Sequence, residues 1–280
     1  MDFQETMVAS HDGTKLRLVT LDPTSPAGPP VLIVHGLGEH SGRFRHVMQH
    51  LAGRGFLCGA VDLRGHGKSE GRRGDAMCYA DLLGDLRAAA ECFCGGTPFF
   101  LYAHSFGGQV AIHALLAGLP GVQGMVLTSP WLDLAFQPPR WKLLLAQLAR
   151  RAMPGLIQQT GLSLERLGRD IDFLKTMPEL ELVHHRISVR LYHALTAAAA
   201  KARARAREFS TPFLLIHGEA DDVTSDRASS EFFQNSSAQD KTLRLLPGVR
   251  HEPHNDFGRE EVLEEIAQWL SARCVARHDV

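Results

Sequence analysis

The chain has 280 residues, with 30 Lys and Arg against 31 Asp and Glu, so its formal net charge is -1 when the 15 His are neutral. That balance argues against a protein built to coat nucleic acid or an anionic membrane, and 44 % hydrophobic residues exclude a wholly disordered chain. A chain of this size buries roughly three quarters of its unfolded surface, so its core needs neither a disulfide framework nor a structural metal.

The N-terminus, Met1-Asp2-Phe3-Gln4-Glu5, is acidic and polar where a signal peptide would be basic and then apolar, and no stretch reaches the ~18 apolar residues of a spanning helix. A soluble, unprocessed protein is expected. Short β-branched or aromatic runs then alternate with helical patterns. Met7 to Ser10 and Lys15 to Leu21 have no helix between them and predict an antiparallel edge. Val31 to His35, Leu57 to Asp62, Phe99 to His104 and Val122 to Thr128 predict further strands, separated by helices over Arg43 to Arg54, Tyr79 to Cys94 and Phe106 to Ala117. This is the signature of a largely parallel sheet covered by helices.

After Ser129-Pro130 the pattern changes. Trp131 to Phe209 holds Leu-rich helical stretches and breakers at Pro138-Pro139, Pro154-Gly155 and Pro178, with no strand expected. Alternation resumes with Phe213 to His217, a helix near Ser225 to Asn235, Leu243 to Leu246 and a helix over Glu260 to Ala272. We therefore expect residues 1–130 and 210–280 to form one core and 131–209 to be an inserted helical cap. Within the insertion, Ala197 to Arg207 carries Lys201, Arg203, Arg205 and Arg207 two apart, on opposite sides of a helix, which reads as a solvated cap helix and not as a binding patch. The five Cys, at 58, 78, 92, 94 and 274, repeat no C-x-x-C spacing, so a reducing cytoplasm is the expected home.

The most informative segment runs from Phe99 through Ala103-His104-Ser105-Phe106-Gly107-Gly108, a strand leading directly into a helix. Ser105 would sit on the tight turn that lifts a nucleophile clear of a sheet, in a G-x-S-x-G pattern with Ala103 at the first glycine. By itself this serine could equally cap the helix. A Ser hydroxyl, however, becomes nucleophilic when a His takes its proton and an acid orients that His. Phe213 to Asp221 ends a strand with an acid just beyond it, and Leu243 to His251 ends the next with a His. Ser105, Asp221 and His251 follow in that order, with His254 as rival base and Asp222 or Asp226 as rival acids. His35-Gly36-Leu37-Gly38 also follows a strand, and the amides of Leu37 and Phe106 are the expected donors to an oxyanion.

Two other chemistries compete for these residues. Gly36 to Gly42, followed by Asp62 at the next strand end, approaches a dinucleotide fingerprint, but its third Gly is one residue late and Ser105, Asp221 and His251 would be left without a role. His251-Glu252-Pro253-His254 could suggest a metal, yet no third ligand is evident and Pro253 disfavours a ligand-bearing helix. We expect neither cofactor nor metal.

Taken together, His35 to Phe44, Asp62 to Gly71, Ala103 to Gly108, Gly218 to Asp221 and Gly248 to His251 resemble the monoacylglycerol lipase and lysophospholipase branch of the α/β-hydrolase fold. The likeness covers most of the chain, and H-G-x-G-E-H-S-G-R with R-G-H-G-x-S-E-G is far more specific than the serine turn. It implies an α/β-hydrolase fold with a mostly parallel eight-stranded sheet, a triad of Ser105, Asp221 and His251, oxyanion donors at Leu37 and Phe106, Gly36 beside the substrate, and a single-acyl-chain ester as substrate. Phe106 stands where the family often has Met, and its ring would line the acyl pocket. His66 and Arg64 would be structural. Arg140 to Met153 combines Leu at helical spacing with Trp141 and basic ends. It reads either as a helix packing its Leu face on the core or as an interfacial helix giving transient membrane or micelle contact. Leu144, Leu145 and Leu148 are expected near an acyl tunnel. The residues leave open an amide or peptide hydrolase, an acyltransferase, and a binding protein on a retired hydrolase scaffold. They do not indicate an oligomeric state.

Overall fold

The structure, a computed structural model, describes residues 2–136 and 151–274. Its centre is an eight-stranded sheet in the order β1-β2-β4-β3-β5-β6-β9-β10. β1 (Phe3–Ala9) and β2 (Lys15–Leu21) form the antiparallel edge, and β2 also runs antiparallel to β4 (Cys58–Val61). β3 (Val31–Val34), β4, β5 (Phe99–His104), β6 (Val122–Thr128), β9 (Phe213–Gly218) and β10 (Lys241–Leu246) are mutually parallel. β3, β4, β5 and β9 are buried throughout, as expected of strands covered on both faces.

Alternation along β5 shows how the two layers form. Leu101 and Ala103 join the apolar cluster made with α2 (Tyr79–Cys94), α3 (Ser105–Leu116) and α7 (Asp226–Asn235). Phe100 and Tyr102 join the opposite cluster with α1 (Arg45–Gly53) and α8 (Arg259–Ser271). Successive strand side chains point to opposite faces, so one apolar run feeds both cores. The predicted elements agree with this architecture to within a few residues. The largest differences are a longer β1 and a 3₁₀ turn at Ser41–Phe44, where an α-helical start was expected.

The segment between β6 and β9 differs from expectation in two ways. Ile157–Gln159 (β7) and Arg186–Ser188 (β8) pair antiparallel in a small separate sheet, although no strand was expected there. Each strand has three residues, too few for a periodic signal, and the pairing joins positions far apart in sequence. Between them lie the short helices α4 (Leu164–Leu167) and α5 (Ile171–Lys175). Second, α6 (Val189–Ala204), which contains most of the Ala and Arg run, packs on the main fold. Its buried Leu195, Ala199 and Ala202 join the cluster that contains α3. Gln109 of α3 donates to the Leu195 carbonyl at 3.0 Å, and the His113 imidazole meets the Ala198 carbonyl at 2.9 Å. The basic side chains turn outward, with Arg203 3.0 Å from Asp133. Leu144, Leu145 and Leu148 lie outside the described residues.

Candidate active site

Ser105 opens α3 directly from β5 with φ +51°, the left-handed conformation of a sharp strand-to-helix turn. Such a φ is strained for a non-glycine residue and exposes the side chain at the sheet's end. The turn requires a close approach that Gly107 permits, since a Cβ there would lie 2.4 Å from the His35 carbonyl oxygen and 2.6 Å from that of Val34. Ala103, at the departure from the usual pattern, is fully buried in β5 and β5 pairs regularly at that position.

The loops after β9 and β10 bring the other two residues to this point. His251 Nε2 is 2.9 Å from Ser105 Oγ, and His251 Nδ1 is 2.8 Å from Asp221 Oδ2. The rivals lie elsewhere: Asp222 pairs with Arg166 at 2.9 Å, and the buried His254 ring stacks on Phe44 with centroids 5.0 Å apart. With both His251 nitrogens engaged, a metal shared between His251 and His254 has no free imidazole nitrogen from the first.

Asp221 Oδ1 accepts the amides of Val223 at 2.7 Å and Thr224 at 3.1 Å. Its Oδ2 faces the Thr224 hydroxyl at 2.9 Å and His217 Nε2 at 3.1 Å as well as His251. Burial opposes the charge on Asp221, but His251 and His217 outweigh it and hold the carboxyl well below its ordinary range. Burial likewise opposes charge on His251, and Asp221, together with Glu252 and Glu39, more than offsets it, so the imidazole lies above its ordinary value.

Phe106 is the second residue of α3, where the N–H has no intrahelical acceptor. Leu37 lines the same cavity as Ser105 and His251. Gly36 stands behind that wall, where a Cβ would come within 3.3 Å of Ser105 Cβ, and Leu37 and Gly38 face the cavity. The Phe106 ring, expected in the acyl pocket, is instead fully buried and stacks on His66 with centroids 5.8 Å apart. Helix geometry sends the side chain into the core while its amide stays at the turn.

The cavity has a volume of about 240 Å³. Its walls include Leu134, Leu162, Leu167, Ile187 and Val189, and Glu39 and Arg43 provide polar surface. Arg43 Nη2 donates to Glu252 at 2.6 Å and Arg43 Nε to Glu39 at 3.2 Å, all three side chains being buried. Glu39, His104 and Glu252 converge closely enough to suggest a cation, but the guanidinium of Arg43 already supplies positive charge to both carboxylates. Burial and the neighbouring Glu252 push the Glu39 carboxyl up to about 7. Sequence reasoning did not find Arg43–Glu252 or His217–Asp221 as pairs. His217 does carry a local signal, four residues before the acid at the end of the same strand.

The dinucleotide reading fails at Asp62. Its buried carboxylate accepts the amides of Ser41 at 2.6 Å and Lys68 at 2.9 Å, so it ties two loops together and presents no oxygen to a ribose. Arg64 and His66 hold the same loop. Arg64 pairs with Asp85 at 2.7 Å, and the His66 ring meets the Arg64 carbonyl at 3.0 Å.

Residues 26–257 match the family described as "Serine aminopeptidase, S33". The monoglyceride lipase of Rattus norvegicus is 31 % identical over 265 residues, covering 89 % of this chain and 85 % of that protein. An uncharacterised abhydrolase domain-containing protein of Dictyostelium discoideum is 33 % identical over 266 residues, 94 % of this chain and 28 % of that longer protein. The crystal structure of the Paleococcus ferrophilus monoacylglycerol lipase superposes with a TM-score of 0.84 at 33 % identity, covering 92 % of this chain and 99 % of that one.

Proposed function

Because the chain belongs to the serine aminopeptidase S33 family of α/β-hydrolases, we propose that Ser105, His251 and Asp221 are the catalytic triad of a monoacylglycerol lipase-like serine esterase. The observation that carries this reading is the continuous relay of 2.9 Å and 2.8 Å from Ser105 through His251 to Asp221, opening on a cavity with apolar walls. Ser105 Oγ attacks the ester carbonyl and gives its proton to His251 Nε2. The N–H groups of Leu37 and Phe106 receive the oxyanion. Collapse expels the alcohol, protonated by His251, and leaves an acyl-enzyme. Water, deprotonated by His251, then releases the fatty acid and restores Ser105.

The apolar lining of the cavity suits one acyl chain. We take the described residues of 131–209 as its cap, with α6 seating it on the main fold. The exposed Phe136, Met153 and Leu156 of that segment support transient contact with a lipid surface. No helix of the described residues is long and apolar enough to cross a membrane. Five free cysteines favour a reducing compartment such as the cytoplasm.

The test is a panel of monoacylglycerols, aminoacyl amides and alcohol acceptors, run on the protein and on Ser105→Ala. Fatty acid released from monoacylglycerol by the first and not the second is expected. Turnover of amides without esters, or no turnover of either, would overturn the reading.

A further inference from the structure

A second imidazole reaches the acid of the triad. His217, at the end of β9, is fully buried. Its Nε2 is 3.1 Å from Asp221 Oδ2 and 3.3 Å from the Thr224 carbonyl, with the Thr224 hydroxyl at 3.5 Å. Two of these neighbours can only accept, so Nε2 carries the hydrogen. Nδ1 is 2.8 Å from the buried Ser229 hydroxyl, whose proton it accepts, and this sets the tautomer. Ser229 lies on α7, so the chain of bonds runs from a helix of the main fold through His217 to the same carboxylate oxygen that meets His251.

We propose that His217 is a positioning residue for this reaction: its Nε2–H fixes the orientation of Asp221 and draws off part of the carboxylate charge that His251 would otherwise receive. The inference rests on the triad proposed above. A carboxylate oxygen sharing its charge among three donors stabilises each less than if it served two. Removing the His217 donor therefore leaves Asp221 a stronger partner for the His251 imidazolium, but one less firmly aimed. Other charged and titratable groups also face His251: Glu252 and Glu39, both bonded to Arg43, and the His104 ring with its centroid 4.9 Å away. His254 adjoins His104 in turn. None of these touches His217, so variants at 217 leave them in place.

The test is the pH dependence of kcat/KM on a short-chain ester for the wild type, His217→Leu, His217→Gln, Ser229→Ala and Ser105→Ala, with thermal melting as a fold control. For His217→Leu, kcat should fall about tenfold or more, because the acid is no longer held in register. The acidic limb should move upward by about half to one pH unit as His251 becomes more basic. KM should change little. His217→Gln, whose amide can place an N–H near the imidazole Nε2 position, should return both quantities most of the way. Ser229→Ala should shift the limb in the same direction by less. A wild-type limb in His217→Leu, or a Gln variant no better than Leu, overturns the inference. If the Leu variant does not fold, an unshifted limb in Ser229→Ala does so. Ser105→Ala separates the two claims: its inactivity beside an unshifted limb sinks only the role of His217, whereas its retained activity sinks the triad.

Discussion

Around Ser105 the sheet side of the site is built from buried polar groups, whereas the wall, in the described residues between β6 and α6, is made of short elements. Arg43 and Glu252 pair with side chains 1 % and 0 % exposed, but Arg166 and Asp222, in the wall and beside it, are 26 % and 62 % exposed. The wall is tied to the main fold at separate points, such as Glu179 on Arg17 at 3.0 Å and the His184 amide on the Gly38 carbonyl at 2.9 Å. The contrast teaches a division of labour. On the proposed function, chemistry would reside where every group is held by burial, and substrate selection where three-residue strands and four- or five-residue helices can change without disturbing the sheet.

The largest effect expected from this division is at the nucleophile. Ser105→Ala should lower kcat by about 10⁴ to 10⁶, as loss of a triad serine does in serine proteases, while the melting temperature stays near that of the parent. Retained turnover would place the chemistry elsewhere. Next, Arg43→Ala should destabilise the protein by about 3 to 5 kcal/mol, since it leaves two buried carboxylates without their cation. Arg166→Ala should cost about 0 to 1 kcal/mol, the range of exposed pairs. Urea unfolding of both variants measures the contrast directly, and equal losses would break it.

The wall should act on selectivity. Leu134→Trp and Leu162→Trp should each lower the ratio of kcat/KM for C16 over C4 esters by about tenfold, because a bulky ring shortens an apolar cavity by several methylenes. An unchanged ratio would remove the wall from substrate selection. The smallest effect concerns pH. Burial opposes charge on His251, but Asp221, with Glu252 and Glu39 behind it, carries its value above the ordinary imidazole value. The base must be neutral to take the Ser105 proton, so kcat/KM should be lost as pH falls through a midpoint above about 6.5. A midpoint below that value would mean that Asp221 does not dominate the field at His251.

Much of the sheet side was legible in the sequence because its signals are local. Continuous apolar runs such as Phe99 to His104 mark covered strands, and Ser105, Asp221 and His251 each stand just past the end of one. What bonds those residues in place was not legible. Arg43 and Glu252 are 209 positions apart, and nothing near either residue names the other. The wall was harder to read for a different reason. β7 and β8 are too short for periodicity and exist through their mutual pairing, and the Ala-rich run of α6 supplies a small-residue face, Ala199 and Ala202, to the cluster that contains α3. The Phe106 ring was misplaced because the resemblance implied a residue at the turn without the direction its side chain takes from the helix.

The most direct test of the central claim is mapping the adduct formed with a fluorophosphonate probe, by mass spectrometry, on the parent protein and on His251→Ala. The account predicts a single adduct on the peptide containing Ser105, formed far more slowly when the imidazole is removed. An adduct on another residue, or labelling of Ser105 at an undiminished rate without His251, would contradict it.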